Sequence, residues 1–291
     1  MLTLSYRPPF DWDALLAFLE RRATPSVELV DGQAYARTVC IDGRPGTIRV
    51  EPAKRRGKSD VADPRALDLA VSASLAPVLM QVSARTRQLF DLDAEPQTIE
   101  SHLADAGLVP RRALRPGLRV PGAFDGFELA VRAVLGQQVS VKGATTLMAR
   151  LTTAFGEPAN TADPSLSRLA ATADRLADAH VSSIRAIGLP IARATTIHTL
   201  AQRVAAGELR LEPDADVRIV TKQLLEIPGI GPWTTEYIAM RALHWPDAFP
   251  SGDLVLRRRV GNVTSAQLLK KAEAWRPWRA YAAMQLWMQP G

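Results

Sequence analysis

The segment LLEIPGIGPWTTEYIAM, residues 224–240, carries the strongest indication of the fold in this sequence. It places Gly229 and Gly231 just before a proline and a stretch with apolar residues at helical spacing. Glycines this close together indicate a tight backbone bend or the close approach of another molecule. Because proline suits the first position of a helix, we expect one helix to end at Pro228-Gly229 and the next to begin near Pro232.

Such a hairpin has two interpretations. The first backbone N–H groups of the second helix point outward at the positive end of the helix dipole, which makes an anion-binding site. Alternatively, the glycines only allow two helices to pack at a corner. The hairpin alone leaves both interpretations open.

A second signal lies downstream in DAFPSGDLVLRRRV, residues 247–260. Asp253 precedes an apolar stretch of helical pattern, and aspartate is a common helix N-cap because its side chain accepts N–H bonds from the first turn. The same bonds favour the ionised carboxylate. Asp253 is therefore predicted to cap a helix and to offer a negative charge to a site of developing positive charge.

The composition narrows the class of protein. The 291 residues are 47% hydrophobic and 23% charged, which is typical of a soluble globular protein of one large domain or more. The net charge of +6 suits a polyanionic partner such as nucleic acid. Cys40 is the only cysteine, which excludes disulfide frameworks and thiolate metal sites. No apolar run approaches membrane-spanning length and MLTLSYRPPF is unlike a secretory signal, so we expect a cytoplasmic protein.

The N-terminal third mixes helix and strand patterns. DWDALLAFLERRA (11–23) has helical apolar spacing, and AYARTVCIDGRPGTIRV (34–50) is typical of two strands around a turn at residues 42–46. LDLAVSASL (67–75) alternates like a strand with one buried face, and KRRGKSD (54–60) is expected to form an exposed loop.

After about Ala76 the apolar spacing becomes helical and remains so. We therefore predict an α+β fold. A small N-terminal α/β domain with an antiparallel sheet and helices (residues 1–88) precedes a mostly α-helical region (residues 89–291). This second region is expected to form two helical subdomains with a cleft between them.

The hairpin, a linking helix and Pro-x-x-Asp at residues 250–253 together resemble the helix-hairpin-helix DNA glycosylase superfamily. Within it, the chain resembles the alkylation-repair branch, the AlkA-type 3-methyladenine DNA glycosylases II. The resemblance covers nearly the whole chain in the order of that branch, and further segments carry it: YRPPFDWDALLAFLERRA (6–23), RPGLRVPGAFDGFELAVRAVLGQQVS (115–140) and AWRPWRAYAAMQLW (274–287).

The resemblance implies a monofunctional enzyme that flips an alkylated base out of double-stranded DNA and hydrolyses its N-glycosidic bond. Asp253 matches the catalytic aspartate of the branch, and no cofactor is needed for this chemistry. We expect a monomer, associated with the nucleoid if the protein is bacterial. The implied base-contacting residues are Trp233, Tyr237, Trp287 and Phe18, and the implied DNA-contacting hairpin residues are Gly229, Ile230, Gly231, Pro232 and Thr234.

Some positions differ from the family pattern. Leu254 and Met288 stand where part of the family has aromatic residues. Gln138 stands where the family often has an apolar wedge that fills the gap left by the flipped base; it either keeps that role or caps a helix break at Gly136.

The resemblance also implies a monovalent cation at the hairpin, held by backbone carbonyls of Leu225, Ile227 and Ile230.

Two other functions remain open at this level. A bifunctional glycosylase/lyase for oxidised bases needs an amine nucleophile. Sister families place a lysine just after the hairpin, where this chain has Trp233, and Lys222 lies before it. A non-catalytic hairpin module that only binds duplex DNA has no need of a carboxylate at position 253.

Overall fold

The computed structural model describes residues 1–54 and 62–289. An antiparallel five-stranded sheet comes first in the chain, with its strands in the order β1-β5-β4-β3-β2. The strands are β1 (Leu2–Ser5), β2 (Glu28–Asp31), β3 (Ala34–Ile41), β4 (Arg44–Lys54) and β5 (Ala62–Val71). The α-helices are α1 (Trp12–Glu20), α2 (Leu79–Leu89), α3 (Pro96–Asp105), α4 (Gly126–Leu135), α5 (Val141–Phe155), α6 (Ala173–Ala177), α7 (Val181–Arg185), α8 (Ile191–Ala205), α9 (Val217–Leu225), α10 (Pro232–Arg241), α11 (Leu254–Arg259), α12 (Ser265–Ala272) and α13 (Arg279–Trp287).

The turn between β3 and β4 is shorter than predicted. Only Asp42 and Gly43 form it, with φ of 49° and 71°, as in the two-residue hairpin turns that favour Asp-Gly. The predicted turn over residues 42–46 is wrong because β4 begins at Arg44. Gly46 lies within the strand, where an added Cβ would come 2.4 Å from Ser72 Oγ, so close packing explains this glycine.

The strand predicted over residues 67–75 ends early. β5 stops at Val71, and Ala73–Val78 forms a 3-10 helix. The Ser72 hydroxyl accepts the N–H of Thr47 in β4 at 2.8 Å. This N–H group therefore keeps a hydrogen-bond partner although the chain leaves the sheet after β5. The predicted loop KRRGKSD lies, beyond Lys54, outside the described residues.

Buried polar contacts join the sheet to the helical region. Arg37 of β3 pairs with Glu128 of α4 at 2.5 Å, and both side chains are buried. Beside them, the Thr38 hydroxyl donates to the backbone oxygen of Arg168 at 2.6 Å. Helix α1 packs on β2, so these contacts bring the end of α1 to the helical region.

The predicted α+β fold is confirmed: an antiparallel sheet with helices precedes a helical region. The boundary between residues 88 and 89 stays a prediction. Among the described residues, no helix is both long and apolar enough to cross a membrane.

Candidate active site

The predicted hairpin is present and α10 begins at Pro232 as predicted, but α9 ends at Leu225, earlier than the predicted end at Pro228-Gly229. Gly229 has φ of +92°, and a Cβ there would lie 2.3 Å from the hydroxyl of Thr196. That hydroxyl donates to the carbonyl of Pro228 at 2.7 Å. The fold itself therefore requires glycine at position 229.

Gly231 differs from Gly229. Its φ is −98°, and no atom lies within 4 Å of a Cβ built there. Within the described residues no side chain caps α10, and the first N–H bonded within the helix is that of Thr235, to the oxygen of Gly231 at 3.0 Å. The N–H groups of Trp233 and Thr234 are thus left for a partner from outside, as in helix N-termini that bind anions.

Gln137 supports the hairpin, and sequence reasoning missed it. Its Nε2 donates to the oxygen of Gly229 at 2.9 Å and to the hydroxyl of Thr234 at 3.0 Å. Thr234 as a whole is only 3% exposed, and its hydroxyl is committed to Gln137. Gln138, the predicted wedge, follows at an exposed position with φ of +57°.

Asp253 caps α11 as predicted. Its Oδ1 accepts the N–H groups of Val255 at 2.9 Å and Leu256 at 3.0 Å, and also Trp287 Nε1 at 3.1 Å. Its Oδ2 accepts Trp233 Nε1 at 3.0 Å. The cap was evident in the sequence, but the two indole donors were not, because they come from 20 and 34 residues away.

The two oxygens of Asp253 are used unequally. Oδ1 accepts three N–H groups, whereas Oδ2 accepts one. A carboxylate oxygen has about two lone-pair sites, so Oδ2 keeps acceptor capacity for another group. Four donors also fix the plane of the carboxylate.

Asp253 lies on the wall of a cavity of about 540 Å³, a size common for small-molecule pockets. The cavity draws on α1 and the turn after it, on α4 and α5 with the loop between them, and on α10, α11 and α13. Its lining residues are Phe18, Arg21, Arg22, Arg132, Ala133, Gly136, Val139, Ser140, Val141, Ala144, Trp233, Tyr237, Asp253, Val255, Trp287 and Met288.

The four predicted base-contacting aromatics all line this cavity. The rings of Trp233 and Tyr237 are nearly parallel, with centroids 5.3 Å apart and an interplanar angle of 8°. Phe18 is 5% exposed, and the guanidinium of Arg22 lies 3.6 Å from its ring centroid. Phe18 therefore contacts the pocket mainly by holding Arg22.

The hydroxyl of Tyr237 accepts Arg241 Nη1 at 2.7 Å. Burial opposes ionisation of this phenol, but Arg241 and Arg22 together lower the pKa of Tyr237. Arg241 also donates to the backbone oxygens of Pro121 and Gly122. These bonds fix the orientation of the Tyr237 ring.

The two departures from the family pattern lie in different places. Met288 lines the cavity, whereas Leu254 is 60% exposed and is not among the lining residues. The aliphatic groups Val139, Val141 and Met288 therefore accompany the aromatic wall.

The carbonyls predicted to hold a cation fit that role. The hairpin oxygens of Pro228 and Gly229 are occupied by side chains. In the described part of the chain, no hydrogen bond reaches the oxygens of Leu225 and Ile230, and that of Ile227 accepts only the N–H of Ile230, at 3.0 Å. Carbonyl oxygens with free lone pairs are suitable ligands for a hard cation.

The start of α10 and the carboxylate of Asp253 thus lie at one cavity, and enzymes that act on a base of duplex DNA hold the flipped base in such a pocket. Residues 1–125 match the family model of the AlkA N-terminal domain, and residues 131–276 match that of the HhH-GPD superfamily base excision DNA repair proteins. The chain belongs to the HhH-GPD superfamily of base excision DNA repair proteins, with an AlkA-type N-terminal domain.

Individual relatives agree with this assignment. The chain is 37% identical to DNA-3-methyladenine glycosylase 2 of Escherichia coli, over 100% of this chain and 98% of that protein. It is 37% identical to a probable bifunctional transcriptional activator/DNA repair enzyme AlkA of Mycobacterium tuberculosis, over 98% of this chain and 56% of that protein. In fold it is similar to a 3-methyladenine DNA glycosylase from Archaeoglobus fulgidus, with a TM-score of 0.83, 20% identity, and coverage of 99% and 98% of the two chains.

Proposed function

We propose that this protein is a monofunctional DNA glycosylase that flips alkylated bases such as 3-methyladenine out of duplex DNA and hydrolyses their N-glycosidic bonds. The observation that carries the proposal is the carboxylate of Asp253. Four N–H donors hold it on the wall of a cavity that a flipped base fits, and one of its oxygens keeps acceptor capacity. The product is an abasic site in an intact strand.

The chemistry follows from the charge. Breaking the N-glycosidic bond leaves an oxocarbenium-like sugar, which a fixed carboxylate stabilises. Alkylation of a ring nitrogen makes the base cationic and a better leaving group, so strong acid catalysis is unnecessary. We assign Oδ2 of Asp253 to the sugar and to the attacking water, since Oδ1 is already saturated.

The aromatic wall supports recognition of the base. Electron-rich ring faces attract cations, and Trp233 and Tyr237 supply such rings in the cavity. Trp287 lines the cavity and holds Asp253 as well. The base is thus placed between stacking surfaces and the carboxylate.

The hairpin binds the phosphate backbone of the DNA. The N–H groups of Trp233 and Thr234 bind a phosphate, and the missing side chain of Gly231 lets it approach. A monovalent cation on the carbonyls of Leu225, Ile227 and Ile230 would add positive charge next to that phosphate.

Gln138 fills the gap left by the flipped base and hydrogen-bonds the unpaired partner base. The protein acts as a monomer.

Binding of duplex DNA through the hairpin is directed mainly at phosphates, so affinity for duplex DNA should fall steeply as salt is added. Affinity that stays flat between low and physiological salt contradicts this assignment.

The direct test is incubation with methylated duplex DNA, followed by identification of the released bases by mass spectrometry. We expect release of 3-methyladenine and an alkali-sensitive abasic site. Tight DNA binding without release of any base would show a non-catalytic binding module instead.

The same samples test the lyase alternative. No lysine is among the residues that line the cavity in the described part of the chain, and Lys222 is exposed on α9. Because a Schiff base needs an amine, borohydride should trap no covalent protein–DNA adduct. Trapping at the level of a known lyase would overturn the monofunctional assignment.

A further inference from the structure

The cavity is more positive than a pocket for cationic bases requires. Among its lining residues, all of which the structure describes, Arg21, Arg22 and Arg132 are basic and Asp253 is the one carboxylate. A base with a fixed positive charge is repelled by guanidinium groups as it is attracted by aromatic rings. One of these arginines therefore needs a function of its own.

Arg22 is the cavity arginine that packs against the aromatic wall and still keeps unused donors. Its Nη1 donates to the oxygen of Phe18 at 3.1 Å, and it also contacts the Tyr237 hydroxyl. It forms no salt bridge with any described residue. Burial lowers the pKa of Arg22 to about 10, so the group is still charged at neutral pH. A guanidinium has five N–H donors, and some are left to face the cavity.

The other arginines nearby are placed differently. Arg132 donates to the Thr24 hydroxyl at 2.7 Å. Arg241 donates to two backbone oxygens and to the hydroxyl of Tyr237. Arg21 is exposed at the mouth of the cavity. Among these arginines, only Arg22 combines a close position over the Phe18 ring with a place on the cavity wall.

We propose that Arg22 determines which damaged bases are released, by donating to a carbonyl oxygen or ring nitrogen of a neutral flipped base and stabilising it as it leaves. This inference rests on the glycosylase function proposed above. The C1′–N bond breaks and its electron pair stays with the base, while the oxygen of water bonds to C1′ and its proton passes through Asp253 to solvent. The base leaves as an anion beside Arg22 and takes a proton from solvent.

A cationic base departs already neutral. It gains nothing from a nearby guanidinium at the moment of bond breaking, and the same charge opposes its binding. Arg22 should therefore shift the preference of the enzyme towards neutral modified bases that offer an acceptor edge.

The test compares two duplexes in single-turnover release. One carries a single hypoxanthine, which is neutral with a carbonyl acceptor, and the other a single 7-methylguanine, which is cationic. In Arg22→Met, hypoxanthine release should fall on the order of a hundredfold, as when one stabilising donor is removed, while 7-methylguanine release is unchanged or faster. Arg185→Met is the matched control, because Arg185 is exposed on α7 and is not among the cavity-lining residues. Its ratio of the two rates should equal that of the wild type.

The outcomes are distinct. An equal fall for both bases in a folded variant, or no change in the ratio, makes Arg22 a structural residue and overturns the inference. Arg22→Gln, which can still donate to the oxygen of Phe18, replaces the methionine variant if that one unfolds, and its ratio should shift in the same direction. A wild-type protein that releases 7-methylguanine but no hypoxanthine also overturns the inference, whereas one that releases neither overturns the proposed function.

Discussion

Two helices that contribute to the cavity differ in whether a side chain accepts their first N–H groups. At the start of α11, the carboxylate of Asp253 accepts the N–H groups of Val255 and Leu256. At the start of α10 no described side chain does so, and no described group accepts the N–H groups of Trp233 and Thr234. When a carboxylate of the protein accepts the first N–H groups of a helix, those bonds hold its charge in place. When no side chain accepts them, the N–H groups can bind an anion from outside. We therefore assign the first to chemistry and the second to DNA binding.

Asp253→Asn tests the first assignment and has the largest expected effect. The remaining oxygen still caps α11, since asparagine caps about as well as aspartate. Its amide faces the indole N–H of Trp233, so one bond is lost, at a cost of about 1 kcal/mol in stability. Release of 3-methyladenine should fall on the order of a hundredfold or more because the charge is gone. Single-turnover release, measured with DNA affinity and thermal unfolding, checks this.

DNA affinity of this variant should be unchanged or higher, because a negative charge near the phosphates is removed. Release close to the wild-type rate would reduce Asp253 to a helix cap.

Trp233→Phe tests how the charge is held. Phenylalanine keeps an aromatic ring in the cavity but removes the one described donor to Oδ2, so base release should fall about tenfold. Base release should fall less in Trp287→Phe, since Oδ1 of Asp253 keeps two backbone donors. The two variants are compared in the same single-turnover assay. Equal losses would mean that the indoles act only as stacking surfaces.

Gly231→Ala tests the open helix start. A Cβ there meets no protein atom within 4 Å, so thermal stability should be unchanged. Affinity for duplex DNA should fall about fivefold, because the methyl group lies where a phosphate approaches the N–H groups. Binding measured by fluorescence anisotropy at fixed salt gives this value.

Gly229→Ala is the matched control for this hairpin. Its φ of +92° and the Thr196 contact predict a loss of about 1 kcal/mol or more in the free energy of unfolding. If Gly231→Ala destabilises the protein equally, its glycine serves packing and the assignment to DNA fails.

Asp216→Asn should have the smallest effect. Asp216 caps α9 with one oxygen accepting the N–H groups of Arg218 and Ile219, as Asp253 does for α11, but it is not among the cavity-lining residues. Both base release and unfolding temperature should stay near wild type. A large loss of activity would mean that caps act through the fold and not through a charge at the cavity.

Local features of the site were predictable from the sequence. Proline after a glycine pair gave the start of α10 at Pro232, and aspartate before an apolar helical stretch gave the cap at Asp253. Both depend on bonds between residues two to four positions apart, which the sequence displays directly. The same reasoning went wrong at Ala73–Val78, where an alternating pattern continues although Ser72 ends the strand by a tertiary contact.

The parts that escaped prediction depend on distant residues. The indole bonds to Asp253, the Gln137 bonds to the hairpin and the position of Arg22 beside Tyr237 each join separate elements. A glutamine, a tryptophan or an arginine has several suitable partners in any sequence, and only the packing of the elements selects one. Resemblance to a family indicated the pocket aromatics but not what their N–H groups do.

Gln137 ties the hairpin to the exposed loop that carries Gln138. A repair enzyme meets vast numbers of sound base pairs for each damaged one and must test them quickly. Under the roles proposed above for the hairpin and for Gln138, this link would keep the two parts in register along the duplex. Each phosphate bound at the hairpin would then set one base step for inspection through a single amide group.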